Sequence, residues 1–322
     1  MASTDEILQD FSPFFRVLKG GEVERLVGNH TVPASVDPVT GVRSKDVLIN
    51  AECGISARLY VPKSVNTDEK LPLFVYFHGG AFVIETAFSP LYHCFLNNLV
   101  AEANIMVFSV DYRRAPEHPL PIAYQDSWDA ILWAASHSSG KGQEPWLNKY
   151  ADFQRVFFGG DSAGANIAHN MAMLAGSGNS DGVQVEGIVL VHSYFWGKEA
   201  VGGEPLDPRS RAFMEKLWLF VNPSSRGLDD PLIDPGSDPK ISNLGCKRVI
   251  VFVAEKDGLR HRGVYYKELL EKSGWGGKVE FVESKDEDHV FHLFNPTNQN
   301  AVFMVRSIAS FINEGKSKQV RV

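Results

Sequence analysis

An α/β fold built on a doubly wound, mostly parallel sheet is what this sequence predicts, and three features carry the prediction. The first is a set of short apolar runs: LFVYF (73–77), IMVFSV (105–110), RVFF (155–158), EGIVLV (186–191), RVIVFVA (248–254) and KVEFVE (278–283). They are rich in β-branched and aromatic residues and mostly apolar on both faces, as strands buried between helical layers are. The second is alternation, because helix-like stretches punctuate these runs at Tyr92–Ala103, Ala123–Ser136, Ala163–Ala175, His261–Ser273 and Asn300–Asn313. Strand–helix alternation sets successive strands parallel and lays helices on both faces. The third is a pair of alternating segments, Asp46–Ala51 and Ser56–Val61, which predicts an antiparallel edge.

Two stretches stand outside the alternation. The first forty residues read as helix-like turns and Pro-bearing loops. Residues 196–238 combine an amphipathic helix (Arg209–Phe220) with a Pro/Gly/Asp-rich loop. Insertions placed this way cover sites, so 1–40 and 196–238 are expected to form one helical cap. At ~150 residues per domain, 322 residues suggest two domains or one large α/β domain with an insertion. The latter, spanning 1–322, is the expectation, with the tail GKSKQVRV (315–322) frayed.

Composition excludes several function classes. The 32 Lys and Arg against 39 Asp and Glu give a net charge of -7 with no basic stripe, so no nucleic-acid partner is expected. The apolar runs are too short to cross a bilayer. Three widely spaced cysteines fit a reducing compartment, and MASTDEILQDFSPFF has no secretory character, so a cytoplasmic location is expected. There is no Walker loop, no strand-linked GxGxxG, no HExxH and no cysteine cluster. No cofactor is expected. Asp288, His289 and His292 have the donor types for zinc, but no metal is expected either.

The chemistry centres on Gly160-Asp161-Ser162-Ala163-Gly164. This matches G-x-S-x-G in the context the motif needs, a strand before and a helix after. Small residues let strand and helix crowd together while the serine hydroxyl is raised on a strained turn. A serine is a weak nucleophile until a base takes its proton, and behind such a turn the partners follow in the order Ser, acid, His. Position eliminates most of the ten histidines; His192, for example, ends a buried strand. His289, after the run 278–283, is the expected base. His261 also lies beyond a late strand, and His292, one turn further on, is expected to line the pocket. Asp257, just past 249–254, is the expected acid that orients the imidazole. Glu255 is its rival, and Asp286, Glu287 and Asp288 read as a solvated loop.

Acyl transfer also needs donors for a developing oxyanion. Strand 73–77 runs into His78-Gly79-Gly80-Ala81-Phe82, the HGGG-type position, so the amides of Gly80 and Ala81 with that of Ala163 are expected to form the hole, His78 and Gly79 being counted with it as the start of the same loop. Ala81 replaces a third glycine; its N–H survives, but its Cβ narrows the pocket or constrains the loop. The aromatics Phe82, Tyr194, Phe195, Trp196, Trp218 and Phe220 are candidates for an apolar acyl or alcohol pocket, with ordinary core as the equal alternative.

HGGAF (78–82), DYRRAPEHPLP (111–121), GDSAGAN (160–166), DDPLIDP (229–235) and EDHVFHL (287–293) resemble plant carboxylesterases of the hormone-sensitive-lipase-like α/β-hydrolase family. The resemblance runs from about Val17 to Phe311. It implies an α/β-hydrolase fold with a sheet of about eight strands and a cap, a triad of Ser162, Asp257 and His289, and a small-molecule ester substrate. It also implies a structural role for 111–121. Relatives with other functions share this scaffold. The gibberellin receptors lack the triad histidine, whereas His289 is present here. Hydroxyisoflavanone dehydratases share HGGAF-like loops, and Ala81 keeps that lyase reading open.

Overall fold

The computed structural model describes residues 6–65, 69–178, 183–204 and 207–314. The tail 315–322, and residues 1–5 and 205–206 of the expected cap, lie outside the described residues.

The N-terminal segment corrects an expectation. It forms a three-stranded antiparallel sheet, β1 (Ile7–Phe11), β2 (Phe15–Leu18) and β3 (Val23–Arg25), rather than helical turns. The reason is a period-two pattern too short to announce itself: Phe15 and Val17 of β2 point inward and their neighbours do not.

The main sheet has eight strands. In chain order its elements are β4 (Arg43–Asn50), β5 (Ile55–Val61), β6 (Leu71–Phe77), α1 (Pro90–Ala103), β7 (Met106–Asp111), α2 (Ile122–Ala135), α3 (Pro145–Tyr150) and β8 (Ala151–Asp161). Then come α4 (Ala163–Gly176), β9 (Val185–Val191), α5 (Pro208–Val221), β10 (Cys246–Ala254), α6 (Arg260–Lys272), β11 (Lys278–Ser284), α7 (Phe291–Phe294) and α8 (Gln299–Asn313). The strand order is β11-β10-β9-β8-β6-β7-β5-β4. β4 and β5 form the antiparallel edge, β5 joins β7 antiparallel, and every other pairing is parallel. Each face carries its own core: α1 and α8 pack on one, and α2, α4 and α6 on the other.

This topology chooses where a ligand can bind. The chain winds from β6 to β7 in one direction, then returns to lay β8 on the other side of β6. Such a reversal opens a crevice at the carboxyl ends of the two strands. Phe77 of β6 pairs with Gly160 of β8, so the loop after Phe77 and the turn after Asp161 are neighbours across that crevice.

The N-terminal sheet packs on the inserted helix α5. Phe11 stacks on Phe15 at 4.6 Å and meets Phe220 at 4.9 Å. Arg25 latches the segment to the body, donating to Val83 O (2.7 Å) and Ala115 O (3.2 Å) and pairing with Glu117. No helix among the described residues is long and apolar enough to cross a membrane.

Candidate active site

Strand β8 delivers Ser162 at φ 51° and ψ −117°, a conformation L-residues rarely adopt. Sequence makes the turn feasible, because a Cβ on Gly164 would collide with the carbonyl oxygen of Phe77. Both main-chain groups of Ser162 are held: its N–H donates to Val191 O (2.9 Å), and its carbonyl accepts from Tyr194 N–H (2.9 Å).

His289 and Asp257 arrive from separate loops. Ser162 Oγ lies 3.0 Å from His289 Nε2, and His289 Nδ1 lies 2.8 Å from Asp257 Oδ2. The second oxygen of Asp257 accepts the Leu259 N–H at 2.9 Å. Burial pushes the Asp257 carboxyl up, but the hydrogen bond and charge of His289, with His192 and the Leu259 amide, leave it below the usual carboxylate range. Burial likewise pulls His289 down. The hydrogen bond and charge of Asp257, then the charges of Asp161 and Asp288, more than reverse that and raise it above 6.5. Glu255 turns elsewhere and accepts the Asp286 N–H. His261 sits on α6 beside Gly203.

The loop after β6 runs through three consecutive left-handed residues, Gly80 (φ 99°), Ala81 (φ 53°) and Phe82 (φ 65°). The N–H groups of Gly80, Ala81 and Ala163 donate to no acceptor among the described residues. Two residues of the expected hole are committed differently. The His78 ring is buried, stacked on Tyr112 at 4.2 Å, with burial pulling its pKa down to about 3. Gly79 N–H donates to Tyr92 Oη (2.8 Å) and Asp161 Oδ1 (3.2 Å). Asp161 carries no signal of its own in the sequence beyond its place in the G-x-S-x-G turn. It is buried, accepts from Tyr76 (2.8 Å) and Tyr92 (2.9 Å), and has its pKa raised by burial to about 6 against those hydrogen bonds. A carboxylate buried beside the serine thus ties the start of the loop to the Ser162 turn.

Comparison with known proteins fits this geometry. A family model described as alpha/beta hydrolase fold matches residues 74–293. The chain is 49% identical over 308 residues to "Probable carboxylesterase 7" of Arabidopsis thaliana, covering 95% of this chain and 98% of that one. The chain belongs to the plant carboxylesterase family of the α/β-hydrolase fold. Another similar member is the 2-hydroxyisoflavanone dehydratase of Glycyrrhiza echinata, 44% identical over 319 residues, 96% of this chain and 97% of that one. Among solved structures, a hyperthermophilic esterase from Pyrobaculum calidifontis superposes with a TM-score of 0.68 at 28% identity, covering 84% of this chain and 82% of the other.

Within this carboxylesterase-family scaffold the aromatic candidates separate. Gly80, Ala81, Ser162 and His289 are half-buried, so the site opens to solvent along them. Phe82 and Tyr194 are buried with their rings 6.2 Å apart; Phe82 continues the amide-bearing loop, and the Tyr194 N–H donates to the Ser162 carbonyl. Phe195 stacks on Tyr266, and Phe220 joins the Phe11–Phe15 cluster. Trp196 is clasped between the guanidinium groups of Arg211 (5.3 Å) and Arg262 (5.1 Å). Trp218 is wholly buried, its Nε1 donating to Ser225 Oγ. His292 is also a correction: it is buried against Phe95 rather than lining the opening, because Val290 adopts a left-handed conformation that turns α7 inward. Among the described residues the only metal-like donor cluster is His192, Asp257 and His289, not the set with Asp288 and His292. Its Asp257 and His289 atoms already bind each other.

Proposed function

We propose that the protein is a serine carboxylesterase that hydrolyses a small or medium, apolar carboxylic ester through an acyl-enzyme on Ser162. The observation that carries this is the unbroken chain from Ser162 Oγ through His289 to Asp257, at 3.0 and 2.8 Å. Ser162 Oγ attacks the acyl carbon while His289 Nε2 takes its proton, and Asp257 holds the other ring N–H and balances the imidazolium. The carbonyl oxygen becomes an oxyanion held by the N–H groups of Gly80, Ala81 and Ala163. His289 then returns the proton to the departing alkoxide, leaving the acyl-serine. Water, deprotonated by the same imidazole, cleaves the acyl group as a carboxylic acid and regenerates Ser162. Phe82 and Tyr194, which flank the amide-bearing loop and the Ser162 turn, support an apolar acyl or alcohol group.

We also read β1–β3 and residues 196–238 as one cap, supported by the Phe11–Phe15–Phe220 contacts and the Arg25 latch. The three free cysteines support a reducing compartment such as the cytoplasm.

A dehydratase is the second reading, favoured by the 44% identity to the Glycyrrhiza enzyme and by Ala81 in place of the loop's third glycine. Its base would remove a proton beside a carbonyl, the amide donors would hold the enolate, and no covalent adduct would form. A panel of p-nitrophenyl esters of rising acyl length, run beside a 2-hydroxyisoflavanone, separates the two. The esterase cleaves the shorter esters, loses that turnover in Ser162→Ala, and is slowed severely in Ser162→Thr by the added methyl. Robust dehydration that survives Ser162→Thr, with negligible ester cleavage, would establish the lyase instead. In the same panel Arg25→Ala should shift the preferred acyl length; an unchanged profile would remove the cap from the site.

A further inference from the structure

His289 sits on a short turn tethered on both sides, and one tether is a second imidazole that plays no part in the reaction described above. We propose that His192 is a positioning residue, whose Nδ1 holds the turn that presents His289 to Ser162. The inference rests on reading Ser162, His289 and Asp257 as the triad.

His192 follows the last residue of β9, where three parts of the site converge. The carbonyl of Val191, just before it, accepts the N–H of Ser162. Its own N–H donates to Phe252 O (3.0 Å) on β10, the strand that leads to Asp257. Its Nδ1 accepts the N–H of Val290, the residue directly after His289, at 2.8 Å. The nucleophile turn, the acid's strand and the base's turn are therefore joined through one side chain and its flanking peptides. On the other side of His289, Lys256 N–H donates to Glu287 O at 2.9 Å, so the turn is pinned at 287 and 290 with the base between.

The Val290 tether has to hold a conformation that the sequence does not favour. Val290 lies at φ 49° and ψ 30°, a left-handed region that β-branched side chains rarely enter. Such a residue persists only where its surroundings over-determine it. His192 itself lies at φ 48°, which aims its ring back across the strand ends. That ring is 1% exposed and packed among His289 (5.9 Å), Phe291 (5.7 Å) and His292 (5.8 Å). To accept at Nδ1 the imidazole must be neutral, with its proton on Nε2. Burial, aided by His292 and His289 and opposed by Asp257, holds it well below its ordinary range. Nothing in this arrangement asks His192 to touch substrate.

Three variants isolate the acceptor. His192→Asn places a carbonyl oxygen close to the position of Nδ1 and tolerates positive φ. His192→Gly keeps the backbone conformation without an acceptor, and His192→Leu keeps bulk without one. Since small misplacements of a catalytic group are costly, Gly and Leu should each lower kcat by about tenfold to a hundredfold with KM nearly unchanged. Asn should stay within about threefold of wild type. Fluorophosphonate labelling of Ser162 should slow in step with kcat. If Asn falls as far as Leu and Gly, or if Leu keeps wild-type kcat, the positioning role is wrong. Should Leu and Gly fail to fold, nitrogen NMR of the imidazoles in the wild-type protein decides. His192 is expected as the neutral Nε2–H tautomer from pH 5.5 to 8.5, roughly the span in which an ordinary histidine titrates. A ring that titrates there, or carries its proton on Nδ1, overturns the inference. Ser162→Ala is the control that keeps the two readings apart: ester turnover in that variant removes the triad itself, whatever His192 does.

Discussion

Replacing Asp257 by asparagine tests the triad through its hydrogen-bond inventory. Each carboxylate oxygen of Asp257 takes one donor, Leu259 N–H at 2.9 Å and His289 Nδ1–H at 2.8 Å. Asparagine offers one acceptor and an NH₂, so only one donor can be served. Leaving the Leu259 amide unpaired in a site where the Asp257 side chain is only 3% exposed would cost about 1–3 kcal/mol. The His289 side chain is 34% exposed and can exchange tautomers, so it yields first. The amide oxygen therefore stays with Leu259, and the NH₂ faces His289 Nδ1. That leaves the proton on Nε2, pointing at Ser162 Oγ, where a lone pair is required. The expected result is a fall in kcat of about 10⁴-fold with KM within a few-fold. Steady-state hydrolysis of p-nitrophenyl butyrate measures it directly. A loss below about tenfold, or one confined to KM, would mark Asp257 as a turn carboxylate and refute the tautomer argument.

Other predictions follow from the same geometry. The base must be neutral to act, and its surroundings raise His289 above 6.5, so the acid limb of kcat/KM should lie above pH 6.5 and move down in Asp257→Asn. A wild-type limb below that value contradicts the assigned electrostatics. Asp161→Asn leaves one acceptor for Tyr76, Tyr92 and the Gly79 amide. It should reduce stability by about 2 kcal/mol in urea unfolding and lower kcat by roughly tenfold to a hundredfold as the amide-bearing loop shifts. An unaltered kcat would show that the loop holds its place without this network.

The sheet was legible because parallel strands buried on both faces read as unbroken apolar runs, and all six predicted runs fall on β6 to β11. The apolar run 155–158 marks only part of β8. Asp152 and Gln154 interrupt its start, and Gly159-Gly160-Asp161 disguise its end as a loop, although the strand continues to the serine turn. The N-terminal strands, three to five residues each, carried too little periodicity to register. In the site, chain order and strand ends point to His289 and Asp257, properties of a linear pattern, and the fold brings these two within 2.8 Å of each other and His289 within 3.0 Å of Ser162. His192 and Asp161 were not visible in this way. Their partners lie 98, 85 and 69 residues off in sequence and meet them only through folding. His292 misled for a local reason: spacing by three suggests a shared helix face with His289, but α7 starts only after the left-handed Val290.

The central claim is that the reaction passes through a covalent acyl group on Ser162. Mixing the enzyme with excess p-nitrophenyl butyrate, quenching in acid within the first turnovers and weighing the intact protein tests it most directly. The account predicts a burst of p-nitrophenol together with a protein species heavier by one butyryl group, mapped by digestion to the peptide containing Ser162 and absent from Ser162→Ala. Steady ester cleavage by Ser162→Ala, or an acyl group carried on any other residue of the wild-type enzyme, would contradict it.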